Sequence, residues 1–388
     1  MPPQLPGFVA PPVSTHRIRQ VRLVPCVQRQ EDPTWRFAGG AIAEVPGWRV
    51  ELTTDQGALG HGYIEVIPVV STTPAGARAA FEALAPLLLG ADPFRVEWLL
   101  QEMDRALPGR LHVKAGIDGA LHDLIANIVG QPLHRLFGGA VHERVVATRI
   151  LPLKSPEAMA ADGARLVAKG YGYLKIKLSG DAPQDIARVR AIRDRVGSAI
   201  RLSVDPNQAY RAEDAIPALR KIAQDGVDLV EQPVPAADLA GLKAVRDALD
   251  MVVEADESIT SLRVLLELIG MRALDSANLK IGDLGGLRNT AIAARICDAA
   301  GIGYRIGATF GPRLMAAQAV HLAVTFPNQD YAQEVAEFDH LLDDPFAGLD
   351  VAADGTLAPP PGAGSGVHLH PDAPAPANAG DEFLIALH

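Results

Sequence analysis

At 388 residues the chain is too long for one small core, so two domains, or one barrel with additions, are expected. A composition of 48% hydrophobic and 21% charged residues excludes a disordered chain, a coiled coil and a collagen-like fibre. The formal net charge of -10, with no block of Lys or Arg, argues against nucleic acid or an anionic membrane as partner.

In chain order, Met1 to Thr15 is rich in proline and lacks a basic stretch followed by an apolar one, so no secretory leader is read there. No run of apolar residues is long enough for a membrane-spanning helix. Cys26 and Cys297 are too few for a disulfide framework, and no Cys-x-x-Cys pair is present for zinc or redox work. A reducing, cytoplasmic setting is the resulting expectation. Alternation over His16 to Val24 and over Trp48-Val50-Leu52-Thr54, then a turn at Asp55-Gln56-Gly57 into Tyr63-Ile64-Glu65, predicts an antiparallel meander. Pro74–Leu89, Phe94–Met103 and Ala115–Ile128 read as helices. Residues 1–140 are therefore expected to form an α+β domain.

From residue 141 a rhythm sets in. Apolar or β-branched runs centre near Thr148, Ile176, Ser203, Val230, Glu254, Leu279, Ile306 and Glu334. Helical segments lie between them. Ser155-Pro156 with Gly170 reads as N-cap, first-turn proline and C-terminal glycine, and Asp181 to Gly197 repeats the arrangement. Gly226, Gly270 and Gly301 read as the ends of three later helices. Strands alternating with helices predict a parallel sheet, and eight strands with seven intervening helices fit a closed barrel over residues 141–340. An open doubly wound sheet would favour a Gly-x-Gly-x-x-Gly turn after its first strand, and none follows Leu151. Residues 341–388 read as a returning segment and a tail, rich in Pro, Ala and Gly from Pro359, that covers the fold loosely.

The C-terminal strand ends of a parallel barrel face its active site. Here they carry Lys175 and Lys177, then Asp205 with Asn207 two residues on, then Glu231, Asp256 and Lys280. Folding does not require charges at these positions, and burying them unpaired is costly. Three carboxylates on adjacent strands converge on one point and repel unless a cation sits among them. Oxygen donors without histidine or cysteine indicate a hard cation, Mg²⁺ before Mn²⁺ or Ca²⁺. Lys175 and Lys177 are two apart and share one strand face. Adjacent ammonium groups lower a lysine pKa towards that of a usable base. Lys280, four strands round, lies across the mouth.

The runs Lys175-Ile-Lys177, Asp205-Pro-Asn207, Glu231-Gln-Pro233, Ala255-Asp256-Glu257-Ser258 and Asn278-Leu-Lys280 together resemble the enolase superfamily, and more narrowly its muconate-lactonizing-enzyme subgroup. Ala115 to Leu124 resembles the family's helix before the barrel, so the likeness spans nearly the whole chain. The resemblance implies an α+β capping domain over a modified TIM barrel, (β/α)7β. It implies Mg²⁺ ligation by Asp205, Glu231 and Asp256, and acid/base work by Lys177 and Lys280. The mandelate-racemase subgroup has a histidine at the end of strand 7; here that strand runs Gly303 to Phe310 without one, which argues against that type of base.

Weaker features have competing readings. Trp35-Arg36-Phe37 lies, by the resemblance, in a loop that closes over the substrate, though plain packing fits equally. Glu334 and Glu337 sit at or after strand 8, near the substrate or in a rim ion pair. His368-Leu-His370 lacks a third metal ligand and reads as a solvated strand. Phe310-Gly311-Pro312 starts a helix and is a weak anion cradle. No Gly-x-Ser-x-Gly elbow supports a hydrolase.

The expected function is Mg²⁺-dependent removal of an α-proton from a small carboxylate substrate, through a metal-stabilised enediolate. Bases on two faces point first to a racemase or epimerase of an amino-acid derivative. A dehydratase of the hydroxyproline type and a muconate cycloisomerase use the same hardware. A non-catalytic binding barrel would have lost one of these five groups, and all are retained. A homo-oligomer is expected.

Overall fold

The computed structural model describes residues 14–66, 72–328, 331–370 and 382–387. The N-terminal part is built on strands Ile18–Gln30, Glu44–Thr54 and Leu59–Glu65, paired antiparallel in that order. Gly57, at φ +80°, makes the tight turn between the last two. Helices Pro74–Leu88, Val96–Ala106 and Leu111–Ile128 cover one face, burying Val21, Leu23, Val50, Leu52, Phe81, Leu84 and Leu124. Thr73 caps the first helix, its hydroxyl accepting from Gly76 N, with Pro74 in the first turn.

The third helix begins at Leu111, four residues before the sequence pattern placed it, because Arg110 enters it in a left-handed conformation. The apolar spacing hides this start. The helix is buried on every side from Val113 to Ala126, since it lies between the sheet and the barrel. A Cβ on Gly62 would strike the Gly116 carbonyl, so strand and helix meet backbone to backbone. Asp123 then ties three segments together: it accepts from His61 N at 2.8 Å and from Ser365 N at 2.7 Å.

The barrel strands are Arg149–Leu151, Tyr173–Lys177, Arg201–Asp205, Val227–Glu231, Val252–Ala255, Ser276–Lys280 and Gly303–Gly307, parallel neighbours in sequence order. Helices between successive strands pack outside. The fold is the modified TIM barrel. Its eighth position, expected as a strand near Glu334, is reduced to two bridges, Gln333 on Ala147 and Glu334 on Gly307. Thr148 N donates to the Gln333 carbonyl at 3.0 Å and Ala308 N to the Glu334 carbonyl at 2.8 Å, and these bonds close the ring.

Two local expectations change. Gly270 lies inside helix Leu262–Met271, and Arg272, at φ 53°, is the left-handed residue that ends it. The C-terminal segment is more than loose cover. Leu341–Leu342 and Phe383–Ala386 both pair with the strand Ile18–Gln30, and Thr356–Leu357 pairs with Val145–Val146. A four-residue apolar run, Phe-Leu-Ile-Ala, inside a Pro- and Gly-rich tail carries too short a signal to stand out. No helix among the described residues is long and apolar enough to cross a membrane.

Candidate active site

The parallel register brings the charged strand ends to one mouth. Lys175, Asp205 and Glu231 are fully buried. Lys175 Nζ donates to both Glu231 oxygens at 2.8 and 2.7 Å and to Glu334 at 2.6 Å, and lies 3.1 Å from Asp205. Lys177 Nζ is 2.5 Å from Asp205 Oδ2, and Lys280 Nζ is 2.5 Å from Asp256 Oδ2. All six groups expected from the sequence meet here. As they lie, the ammonium groups neutralise the carboxylates, and no set of three His, Cys, Asp or Glu groups among the described residues forms a ready cation cage.

The lowering expected of adjacent ammonium groups does not hold for Lys175 itself. Burial works against its charge, but Glu231, Glu334 and Asp205 outweigh burial and raise its pKa above that of an ordinary lysine. The argument from paired ammonium groups failed because it counted one strand and not the three acids facing it. Lys175 is a fixed positive charge that holds Glu231, Glu334 and Asp205 together.

Beneath this layer lie groups that the sequence did not single out. Arg305 bridges Glu231 and Glu254 inside the barrel. Ser276 Oγ donates to Glu254 at 2.9 Å, and burial pushes the Glu254 carboxyl up to about 7 against the pull of Arg305. The available signal was a charge at an inward-facing, mid-strand position of two strands. Gln232, in a left-handed conformation, joins the fourth and fifth strand ends: its Oε1 accepts from Asp256 N and Ser258 N, each at 3.0 Å. Asn207 N donates to Asp205 Oδ1 at 2.8 Å, and its amide donates to Glu257 at 3.2 Å. These bonds fix the directions of the acids.

A cavity of about 510 Å³ opens above the lysines, with Lys177, Lys280, Asn207, Glu257 and Glu334 in its floor. Trp35, Phe37, Ile42, Ile150 and Phe310 form one wall. Trp35 is 3% exposed and meets Phe310 edge-on with ring centroids 4.8 Å apart. The loop that carries it is a short hairpin, Arg36–Phe37 on Gly40–Ala41, tied to the barrel by Leu153 N donating to the Arg36 carbonyl at 2.8 Å. Trp35 therefore both packs and lines the cavity. Glu334, at 3% exposure, is no rim residue, whereas Glu337 is bound by Arg149 at 2.9 Å. The anion cradle after Phe310 is already filled by the chain itself, because Asp344 accepts from Arg313 N at the helix start at 2.8 Å. His368 lies exposed on a strand paired with Phe346–Ala347.

Asp205, Glu231 and Asp256 are an all-oxygen donor set, and Lys175, Lys177 and Lys280 supply positive charge at the same point. Their oxygen-only chemistry is that of ligands to a hard divalent ion, although as they lie, held by the lysines, the three do not close into a cage.

Residues 20–138 match the model of the mandelate racemase / muconate lactonizing enzyme N-terminal domain, and residues 158–373 that of the enolase C-terminal domain-like family. The chain is 35% identical over 284 residues to the L-Ala-D/L-Glu epimerase of Bacillus subtilis, covering 72% of this chain and 77% of that one. It is 34% identical over 284 residues to the cis-3-hydroxy-L-proline dehydratase of Roseibium aggregatum, covering 72% and 76%. The crystal structure of the Enterococcus faecalis dipeptide epimerase, complexed with Mg and L-Leu-L-Tyr, superposes with a TM-score of 0.86 at 31% identity. That match covers 91% of this chain and 100% of the other.

Proposed function

The chain belongs to the mandelate racemase / muconate lactonizing enzyme family of the enolase superfamily, and we propose that it is a racemase or epimerase acting at the α-carbon of an amino-acid derivative. The observation that carries this reading is the placement of Lys177 and Lys280. Their strands stand four places apart in the sheet, and each lysine holds a different carboxylate, Asp205 or Asp256. A substrate α-carbon above the acids then has an amine on each face. One lysine takes the α-proton and the other returns a proton from the opposite side, which inverts the centre.

In this reading Asp205, Glu231 and Asp256 hold Mg²⁺, which supplies Lewis-acid stabilisation of the charge that develops as the proton leaves. Lys175 stays charged and keeps Glu231 in place. The aromatic wall excludes water and seats an apolar substituent. Removal of a β-hydroxyl after the same proton transfer is the second reading, favoured by the likeness to the hydroxyproline dehydratase.

A screen of dipeptides, N-acyl amino acids, proline derivatives and muconates in D₂O tests the proposal. Mg²⁺-dependent exchange of an α-proton, with inversion, is the expected outcome. Exchange that persists unchanged after chelation, or the absence of exchange throughout the screen, contradicts it.

A further inference from the structure

Besides the aromatic wall the cavity has a polar part. His112 and Asp283 line it, one from the N-terminal part and one from the turn after Lys280. His112 Nε2 and Asp283 Oδ1 are 2.9 Å apart, so the imidazole donates to that oxygen. Behind His112 lies Glu65, 2% exposed, with neither oxygen in a hydrogen bond and Oε2 3.8 Å from His112 Nδ1. The ring is thus held between two carboxylates, and both nitrogens face the protein. A Cβ at Gly282 would lie 2.6 Å from His112 Nδ1, so the ring lies directly on the backbone of that turn.

What this part offers a ligand is the second oxygen of Asp283. Its side chain is 36% exposed, and His112 holds only Oδ1. The other cavity acids differ. Lys175 and Asn278 bind Glu334, Arg149 binds Glu337, and Glu257 beside Asp256 takes Asn207 at one oxygen while its other oxygen is buried without a partner, closed to a ligand. The nearby cation Lys280 is engaged by Asp256. His112 and Lys280 hold the Asp283 carboxyl below its ordinary range despite burial, so it stays ionised. Arg110 lies on the rim and is exposed, where its charge is screened by water.

We propose that Asp283 sets the substrate class on the Lys280 side, accepting from an ammonium group carried beyond the α-amide of the substrate. This rests on the lysine-flanked cavity being the substrate site. The favoured substrates are then amino-acid derivatives with an apolar side chain against Trp35 and Phe37 and a free amine at the far end. An anionic N-acyl group would meet a carboxylate there and be repelled.

Calorimetric binding with Mg²⁺ present separates the two kinds of ligand, using L-alanyl-L-leucine and N-succinyl-L-leucine as probes. The two share the leucine carboxylate and amide and differ in the charge of the far end. Wild type is expected to bind the dipeptide at least about tenfold more tightly. Asp283→Asn, which keeps an acceptor for His112, should weaken the dipeptide about ten- to hundredfold and leave the succinyl compound nearly unchanged. Asp283→Lys should invert the preference. A wild type that binds the dipeptide no better than the succinyl compound, or not at all, overturns the proposal, as does a ratio unmoved in Asp283→Asn. Exchange at the leucine α-carbon in D₂O is read separately: binding selectivity without exchange counts against the racemase reading and leaves Asp283 its role.

Discussion

Asp205 shows how far single residues speak for themselves. A strand that should bury apolar groups ends in a fully buried carboxylate, which meets Lys177, Lys175 and the Asn207 N–H. Charge at a strand end is visible in one sequence, and it located all six groups of the mouth. Partnership is not visible. Arg305 lies 74 residues from Glu231 and 51 from Glu254, so nothing local announces their bridge. The same blindness to facing strands is why the expected lowering does not hold for Lys175. If Asp205 is a metal ligand, Asp205→Asn should weaken Mg²⁺ binding by at least about tenfold while the far-ultraviolet circular dichroism stays that of the wild type. An unchanged Mg²⁺ titration would remove Asp205 from the ligand set.

Among the elements, the hairpin that carries Trp35 is the one most open to change. It has two short paired segments, held to the barrel by the Leu153–Arg36 backbone bond, the Lys154–Asp32 ion pair and the Trp35–Phe310 contact, yet it supplies the aromatic wall. Its sequence shows no period, so only the resemblance pointed to it. The longer elements were legible because caps and apolar spacing agree, as at Thr73-Pro74 and Ser155-Pro156. The eighth barrel position was legible in place but not in kind, since two bridges need no strand-length pattern. Trp35→Ala removes a wall and no proton-transfer group. KM for an apolar substrate should rise about tenfold, with kcat within about threefold of wild type. Steady-state kinetics checks this, and an equal fall in kcat would place Trp35 in the chemistry itself.

Across the whole molecule, two apolar cores meet along a seam that carries buried charge. The change of rhythm near residue 141 shows where the repeat of strands and helices begins; the seam is not visible in it, because Glu65, His112 and Asp283 come from distant segments. Burial raises the Glu65 pKa to about 7 from its ordinary 4.5, outweighing the opposing pull of His112. The folded state therefore holds that proton more tightly than the unfolded chain. The resulting stabilisation is full below about pH 4.5 and is lost as pH rises through about 7. Glu65→Gln should consequently gain stability relative to wild type between pH 4.5 and 8, by up to about 3 kcal/mol. Urea midpoints at the two pH values measure this, and a pH-independent difference would show that Glu65 is ionised throughout.

The central claim, that two lysines serve opposite faces of one α-carbon, is tested most directly by following α-proton exchange of each substrate enantiomer in D₂O by NMR. Lys177→Ala should abolish exchange from one enantiomer and keep some from the other, and Lys280→Ala should give the mirror result. Full turnover by the double variant would contradict the account.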